Sequence, residues 1–248
     1  MLLEFPDSDL RIMNTGSPNP AENARRLLEQ CVLFRGLPAD KRDVLSARAR
    51  IVHFTAGQNI FRMGAPGTSM MAVLNGEVRI SVPSSGGREL LLTILNAGEF
   101  FGEIAVLDGK DRTADAQAVT DCDLAVLDRA DVLDFLRHQP EALISLVEVL
   151  CGRLRKTDQH IGDVALLQLP ARLAKVLLRI AKLNEGATFQ QHISPIDLPQ
   201  REIANMIGAA RETVNKCLRR WQQSGIVRVE GNLITITNLR ALEEIVEE

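Results

Sequence analysis

The sequence predicts an α+β protein in which two folded domains are joined by a long helix. Its 248 residues suit two domains of about 100 to 150 residues each. Residues 51–128 form short alternating runs between recurrent glycines, residues 143–164 carry a heptad repeat, and residues 198–236 combine two short helices with two strands. These patterns predict, in that order, an N-terminal antiparallel β jelly roll, a dimerisation helix and a C-terminal winged helix-turn-helix domain.

The composition is that of a fully folded chain. Hydrophobic residues make up 46% of the sequence and charged residues 25%, without a long polar low-complexity run. The longest uncharged apolar stretches, such as residues 203–210, are much shorter than the roughly 18 residues that a membrane span needs. The N-terminus also lacks the basic start of a secretory signal. We therefore expect a cytoplasmic protein that has no membrane partner.

The charge is distributed unevenly along the chain. The net charge is −3, but residues 170–238 contain ten Lys or Arg against five Asp or Glu, so this segment carries +5 and the rest of the chain −8. A basic segment on an acidic protein indicates a polyanionic partner for that segment. The four cysteines are spaced singly, which argues against a disulfide framework or a paired metal site.

The N-terminal half divides into an arm and a β domain. Residues 1–20 are rich in Pro, Asn, Ser and Gly, and we expect a poorly ordered arm. In residues 21–136, two helical segments precede strands that alternate apolar and polar residues, as in residues 78–82. Turn glycines at intervals of about eight to twelve residues favour an antiparallel barrel or jelly roll. An ordinary structural β-sandwich is the alternative.

Residues 137–169 are assigned to a dimerisation helix and a hinge. Heptad spacing of apolar residues is the pattern of a two-stranded coiled coil, so we predict a homodimer. The predicted seam consists of Leu143, Val147, Leu150, Leu154, Thr157, Ile161 and Val164. Thr157 interrupts this seam with a hydroxyl group, which either fixes the register of the helices or contacts a ligand.

Residues 170–248 are assigned to a winged helix-turn-helix domain. A helix is predicted from Ala171 to about Leu183, and two short helices follow on either side of a tight turn at Gly208. Further along, two alternating strands surround the turn dipeptide Gly231-Asn232, as in a β-hairpin.

A candidate anion site lies in residues 98–114. Gly102 precedes a short helical segment, and the free backbone N–H groups at a helix start can bind a phosphate. Arg112 supplies a forked cation that is costly to bury without an anion. The carboxylate of Glu103 can accept hydrogen bonds from a sugar hydroxyl. Spacing alone allows an alternative, in which Glu103 and Arg112 form a solvated ion pair on a loop.

Two segments resemble one known family. The string FGEIAVLDGKDRTADA is similar to the phosphate-binding cassette of cyclic-nucleotide-binding domains, and RETVNKCLRRWQQSGIVRVEGNLITI resembles the DNA-binding end of Crp/Fnr superfamily regulators. The similarity runs from about Leu27 to Thr237 in the domain order of the family. It is strongest to the cyclic-AMP-responsive regulators, and it implies that residues 21–136 bind a cyclic nucleotide without a metal.

The resemblance also implies which residues contact the ligand. Those expected to hold the ribose and cyclic phosphate are Gly102, Glu103, Ile104, Ala105, Arg112 and Thr113, and those expected to face the purine are Thr157 and Asp158. The family has serines at the positions of Thr113 and Asp158. An Arg-Thr pair accompanies cyclic GMP selectivity in related eukaryotic domains, so the resemblance leaves both cyclic AMP and cyclic GMP as effectors.

For DNA, the two-fold symmetry of the predicted dimer implies a palindromic double-stranded operator, and the resemblance implies RNA polymerase as a further partner. Residues expected to read bases from the second helix are Arg211, Glu212, Thr213 and Lys216, and those expected to contact phosphates are Gln200 and Arg201. Lys216 replaces a family arginine and lacks its bidentate fork. Ala210 stands at the predicted N-cap in place of the usual serine, a cap worth about 1 kcal/mol.

Three alternatives to a nucleotide-controlled regulator come from the same residues. The first is a redox-sensing regulator of the same superfamily. Its iron–sulfur form would need about four thiolates near the N-terminus, where only Cys31 is found, and its haem form fits less well with an arginine-containing cassette. A regulator that binds DNA constitutively is the second alternative. An enzyme is the third, and we expect no catalysis, because no catalytic set or shared histidine spacing emerges from the sequence.

Overall fold

The computed structural model describes residues 31, 38–84, 86, 89–185 and 195–247. The predicted arm at residues 1–20 and, apart from Cys31, the helical segment that follows it lie outside these residues. The chain divides into two compact units, the first comprising residues Met1–Pro83 and Leu92–Arg153 and the second Ser84–Leu91 and Leu154–Glu248.

The N-terminal unit contains two antiparallel four-stranded sheets, except that residues 89–91 of one strand are grouped with the second unit; the sheets confirm the predicted jelly roll. Its first helix and strands are α1 (Ala39–Ser46), β1 (Arg50–Phe54), β2 (Asn59–Phe61), β3 (Ser69–Asn75), β4 (Val78–Pro83), β5 (Glu89–Leu95), β6 (Phe100–Phe101), β7 (Asp115–Ala118) and β8 (Cys122–Asp128). One sheet has the order β1-β8-β3-β6 and the other β2-β7-β4-β5. Apolar side chains from both sheets, among them Phe54, Val78 and Leu124, form one buried cluster.

Three helices complete this unit and lead out of it. They are α2 (Glu103–Asp108), α3 (Arg129–His138) and α4 (Pro140–Leu166). The 27 residues of α4 make a helix about 40 Å long. Its first turns bury Ala142 and Leu146 in a core that also contains Phe100 and Phe135.

The predicted coiled-coil seam is exposed in the single chain. Leu154 and Ile161 are 61% and 59% exposed, and Leu143, Val147 and Val164 are exposed as well. Exposed apolar residues that recur along one helix in this way mark an interaction surface.

The C-terminal unit confirms the predicted helix-turn-helix and wing. Its elements are α5 (Leu169–Glu185), β9 (Ile196–Asp197), α6 (Gln200–Ile207), α7 (Arg211–Gln223), β10 (Val227–Glu230), β11 (Leu233–Ile236) and α8 (Leu239–Glu247). The strand order is β10-β11-β9. Gly208 ends α6 with φ = 65°, a left-handed conformation that permits the tight turn before α7. Strand β9 and helix α8 are additions that the sequence patterns did not predict.

The core of this unit forms around the single tryptophan of the chain. Trp221 of α7 is buried together with Leu177 of α5, Ile203 of α6 and Ile234 of β11. The helix-turn-helix is therefore held against α5 and the wing by shared apolar contacts.

None of the described helices is long and apolar enough to cross a membrane.

Candidate ligand and nucleic-acid sites

The candidate anion site begins at Gly102, the N-cap of α2. Its φ is 79°, which is favourable only for glycine. A Cβ at this position would also lie 2.5 Å from Nη1 of Arg112. Gly102 is therefore required both by its backbone conformation and by the close approach of the arginine.

Arg112 is buried, with 5% of the residue exposed. Its Nη1 donates to the carbonyl of Gly102 at 3.0 Å and its Nη2 to Oγ of Ser69 at 3.1 Å. The guanidinium carbon lies 4.2 Å from the centre of the Phe61 ring. Within the described residues, Nε has no hydrogen-bond partner. The charge is thus held by neutral groups and an aromatic face.

Burial has an electrostatic consequence for this arginine. Desolvation lowers the pKa of Arg112 from its ordinary value, while the nearby charge of Glu103 acts in the opposite direction. An anion that binds beside such a cation stabilises it, because the anion replaces the lost hydration.

Glu103 forms an ion pair with Arg153, a residue that no sequence pattern indicated. Its carboxylate is 3% exposed, and Oε1 accepts a hydrogen bond from Nη1 of Arg153 on α4 at 2.7 Å. Arg153 also donates to the carbonyl of Phe100 and stacks over the Phe100 ring. The interpretation of Glu103 and Arg112 as a solvated ion pair is therefore wrong, since both are buried and the partner of Glu103 is Arg153.

The loop around residues 64–68 supports the site. The backbone of Arg112 pairs with this loop in both directions, to Ala65 and from Gly64, at 2.8 Å each. A Cβ at Gly67 would overlap Ala105, so the loop packs directly on α2. Ile104 and Thr113 are exposed at the edge of the same site.

The two residues expected to face a purine lie further along the chain. Thr157 and Asp158 are exposed residues of α4 and belong to the second compact unit. The structure brings together the residues of the cassette itself, and a contact of Thr157 or Asp158 with a ligand stays a prediction.

The candidate DNA surface is the outer face of α7. Its inner face buries Val214, Leu218 and Trp221. The predicted base-reading residues Arg211, Glu212, Thr213 and Lys216 are all exposed. Ala210 is the N-cap, as predicted, and its side chain makes no capping hydrogen bond.

The wing and α6 are fixed to the same region by side chains. Oε1 of Gln222 accepts a hydrogen bond from the backbone N–H of Val229 at 3.0 Å. Gln200, expected to contact phosphate, donates to the carbonyl of Gly231 at the tip of the wing at 3.4 Å, whereas Arg201 is exposed.

Four further polar residues, Asn215, Arg219, Arg220 and Gln223, belong to this surface and were not predicted from the sequence. A shallow concavity along α7 is lined by Glu212, Asn215, Lys216, Arg219, Arg220 and Gln223. Their helical spacing from Glu212 could have predicted them, because residues three, four and seven positions apart share a helix face.

Among the described residues, no group of three or more His, Cys, Asp or Glu is arranged to hold a metal.

Two family models match the two domains. The model described as "Cyclic nucleotide-binding domain" matches residues 51–139, and the model described as "Crp-like helix-turn-helix domain" matches residues 171–245. Together with the fold, these matches define a class of protein: a transcription regulator with a cyclic-nucleotide-binding domain and a DNA-binding domain.

Curated relatives span most of the chain. The CRP-like cAMP-activated global transcriptional regulator of Mycobacterium tuberculosis is 33% identical over 220 residues, which cover 87% of this chain and 96% of that protein. The cyclic AMP receptor protein of Thermus thermophilus is 32% identical over 213 residues, covering 86% of this chain and 95% of that protein. The chain belongs to the Crp/Fnr family of transcription regulators.

A solved structure agrees with the fold. The c-di-GMP-responsive global regulator CLP of Xanthomonas campestris matches with a TM-score of 0.72 at 22% identity, covering 80% of this chain and 99% of that one. At this identity, the likeness concerns the architecture alone.

Proposed function

We propose that this regulator binds operator DNA with an affinity controlled by a cyclic nucleotide, and that the nucleotide is cyclic AMP. The observation that carries the proposal is the buried guanidinium of Arg112, whose hydrogen-bond acceptors among the described residues are neutral. A phosphate beside it would supply the missing negative charge through charge-assisted hydrogen bonds.

The surrounding residues suit the rest of a cyclic nucleotide. Backbone N–H groups at the start of α2, in the segment containing Ile104 and Ala105, would donate to phosphate oxygens. The carboxylate of Glu103, already oriented by Arg153, would accept from a ribose hydroxyl. Thr113 would add a hydroxyl donor at the exposed edge.

The choice of cyclic AMP rests on the relatives that cover most of the chain, which are named for cyclic AMP. Cyclic GMP is the competing nucleotide, because Thr113 and Asp158 stand where the family has serines. The Xanthomonas regulator, described as responsive to c-di-GMP, adds a third effector for testing.

The exposed seam of α4 supports a homodimer. Pairing two copies of α4 would bury Leu143, Val147, Leu154, Ile161 and Val164, all exposed in the single chain. A two-fold dimer would present two copies of α7 to a palindromic operator, with half-sites about one helical turn apart. We expect this regulator to act in the cytoplasm, with RNA polymerase as its further partner.

We assign base recognition to the exposed face of α7. Arg211 suits guanine, Glu212 suits the amino group of cytosine, and Lys216 adds a charge without a bidentate fork. Thr213 completes the set at the N-terminal turn. Arg201 and Gln200 are assigned to the phosphate backbone, where contacts position the protein without reading sequence.

The test is DNA affinity with and without nucleotide. An operator is first obtained by unbiased selection of bound DNA with the full chain, and its affinity is then measured by fluorescence anisotropy alone and with cyclic AMP, cyclic GMP or c-di-GMP. We expect cyclic AMP to raise the affinity about 5- to 150-fold, the range of common allosteric couplings.

Each part of the proposal has its own contrary outcome. Equal affinity in all four conditions would show constitutive binding, and a larger response to another nucleotide would overturn the choice of cyclic AMP. Selected sequences that contain only single half-sites would contradict the dimer. A visible absorbance band in freshly purified protein would favour a haem or iron–sulfur effector.

A further inference from the structure

Asn215 occupies a position on α7 between the predicted base-reading residues. It follows Arg211 by four residues and Glu212 by three, so it lies one helical turn further along the face that carries both. The apolar side of the helix, with Val214 and Leu218, is fully buried, whereas Asn215 is half-buried at the flank of the outer face.

The side chain of Asn215 has an unmet hydrogen-bonding requirement. Its Oδ1 is buried and has no hydrogen-bond partner within the part of the chain that the structure describes. Leaving a buried acceptor unpaired is unfavourable, and asparagine is also a weaker helix former than alanine. Neither packing nor helix stability therefore accounts for an asparagine here.

Gln222, on the same helix, has an amide side chain with a structural role and provides a comparison. Gln222 engages the wing, where its Oε1 accepts from the backbone N–H of Val229. Asn215 has no such contact among the described residues, and it shares a concavity with Glu212 and Lys216. Its amide is thus available for a partner that approaches the outer face of α7.

We propose that Asn215 reads an adenine in each operator half-site. A carboxamide matches the N6 amino group and N7 of adenine in the major groove, donating to N7 and accepting from N6. Turning the amide toward the base edge would satisfy the oxygen that is unpaired in the free protein. This inference rests on the proposed DNA-binding function and assigns the recognition of one base, adenine, to Asn215.

The test measures base preference position by position. Operators that carry single base-pair substitutions across one half-site are titrated with the full chain and with Asn215→Ala, both with saturating cyclic AMP. We expect the wild-type protein to prefer A·T at one position by about 5- to 150-fold. The variant should lose this preference at that position and keep the others.

A matched variant controls for damage to the domain. Asn238→Ala removes an amide whose Oδ1 caps α8 through the N–H of Ala241, so it should lower thermal stability and leave the base preferences unchanged. Asn215→Ala should be at least as stable as the wild type, because alanine favours the helix.

The outcomes separate this inference from the proposed function. A wild-type protein without any sequence preference would contradict the proposed function itself. A wild-type protein that reads DNA, together with an Asn215→Ala profile unchanged at every position, would overturn the role of Asn215. A uniform loss of affinity across all operators would assign Asn215 to the phosphate backbone and equally overturn base reading.

Discussion

Arg112 and Arg211 stand in two contrasting environments within one chain. Arg112 is buried and contacts Gly102, Ser69 and Phe61, which come from three separate segments. Arg211 is exposed at the start of α7. A buried, oriented cation interacts more strongly with an anion than a solvated one does, because water and salt screen it less. If the proposed function is correct, the β domain binds a small ligand through few strong contacts, and α7 binds DNA through many weaker ones.

The largest effect should come from removing the buried cation. Arg112→Ala should reduce cyclic nucleotide affinity by about 2 to 4 kcal/mol, or roughly 30- to 1000-fold, because it deletes charge-assisted contacts to phosphate. Isothermal titration with cyclic AMP measures this loss. Arg48→Ala is the matched control, since Arg48 belongs to the same domain and forms an ion pair with Asp131 at its surface. An Arg112→Ala protein that titrates like the wild type would contradict the ligand site.

The second effect concerns the pair between Glu103 and Arg153. Arg153→Ala should lower the free energy of unfolding by about 1 to 3 kcal/mol, since it leaves a buried carboxylate without its partner while Arg153 itself is partly exposed. Chemical denaturation measures the loss. Adding Glu103→Gln to Arg153→Ala should recover part of it, because a neutral amide costs less to bury than a carboxylate. No recovery in the double variant would argue that Arg153 stabilises α4 by packing alone.

The third prediction tests whether α4 couples nucleotide binding in the β domain to DNA binding by α7. If Thr157 contacts the base of the ligand, Thr157→Val should reduce the ratio of DNA affinities with and without cyclic AMP by about fivefold, the value of one hydrogen bond of about 1 kcal/mol. The measurement is a thermodynamic cycle for wild type and variant. Gln159→Ala, at another exposed position of α4, should leave the ratio unchanged. An unchanged ratio in Thr157→Val would leave this residue a role in register alone, and the dimer would become slightly more stable.

The smallest effect should come from the uncapped start of α7. Ala210 has the extended backbone of an N-cap, so Ala210→Ser can add a side-chain hydrogen bond without backbone change. We expect a gain of about 1 kcal/mol in the stability of the DNA-binding domain, visible as a rise of a few degrees in its thermal midpoint. Ala209→Ser, one residue earlier, should give no such gain. Equal midpoints for both variants would mean that α7 is already capped by other groups.

The sequence correctly predicted those elements that have a recognisable local pattern, such as a heptad repeat or a turn glycine. The heptad of α4, the turn at Gly208 and the hairpin at Gly231 all appear where the sequence placed them. Burial within strands was less predictable. Ser81, on the expected polar face of β4, is 4% exposed, whereas Ile80 and Val82 on the expected apolar face are only half-buried. Strand β9 was missed because two residues carry no detectable alternation.

The sequence by itself determined the periodicities, the turn glycines and the residue types of both candidate sites, because these depend on neighbours within a few positions along the chain. Only the tertiary structure decided the partners of the buried charges. Arg153 is 50 residues from Glu103, and Ser69 is 43 residues from Arg112. Such contacts arise when sheets and helices pack, and no local spacing encodes them. The physical reason is that burial, rather than sequence distance, sets how strongly a charge requires a partner.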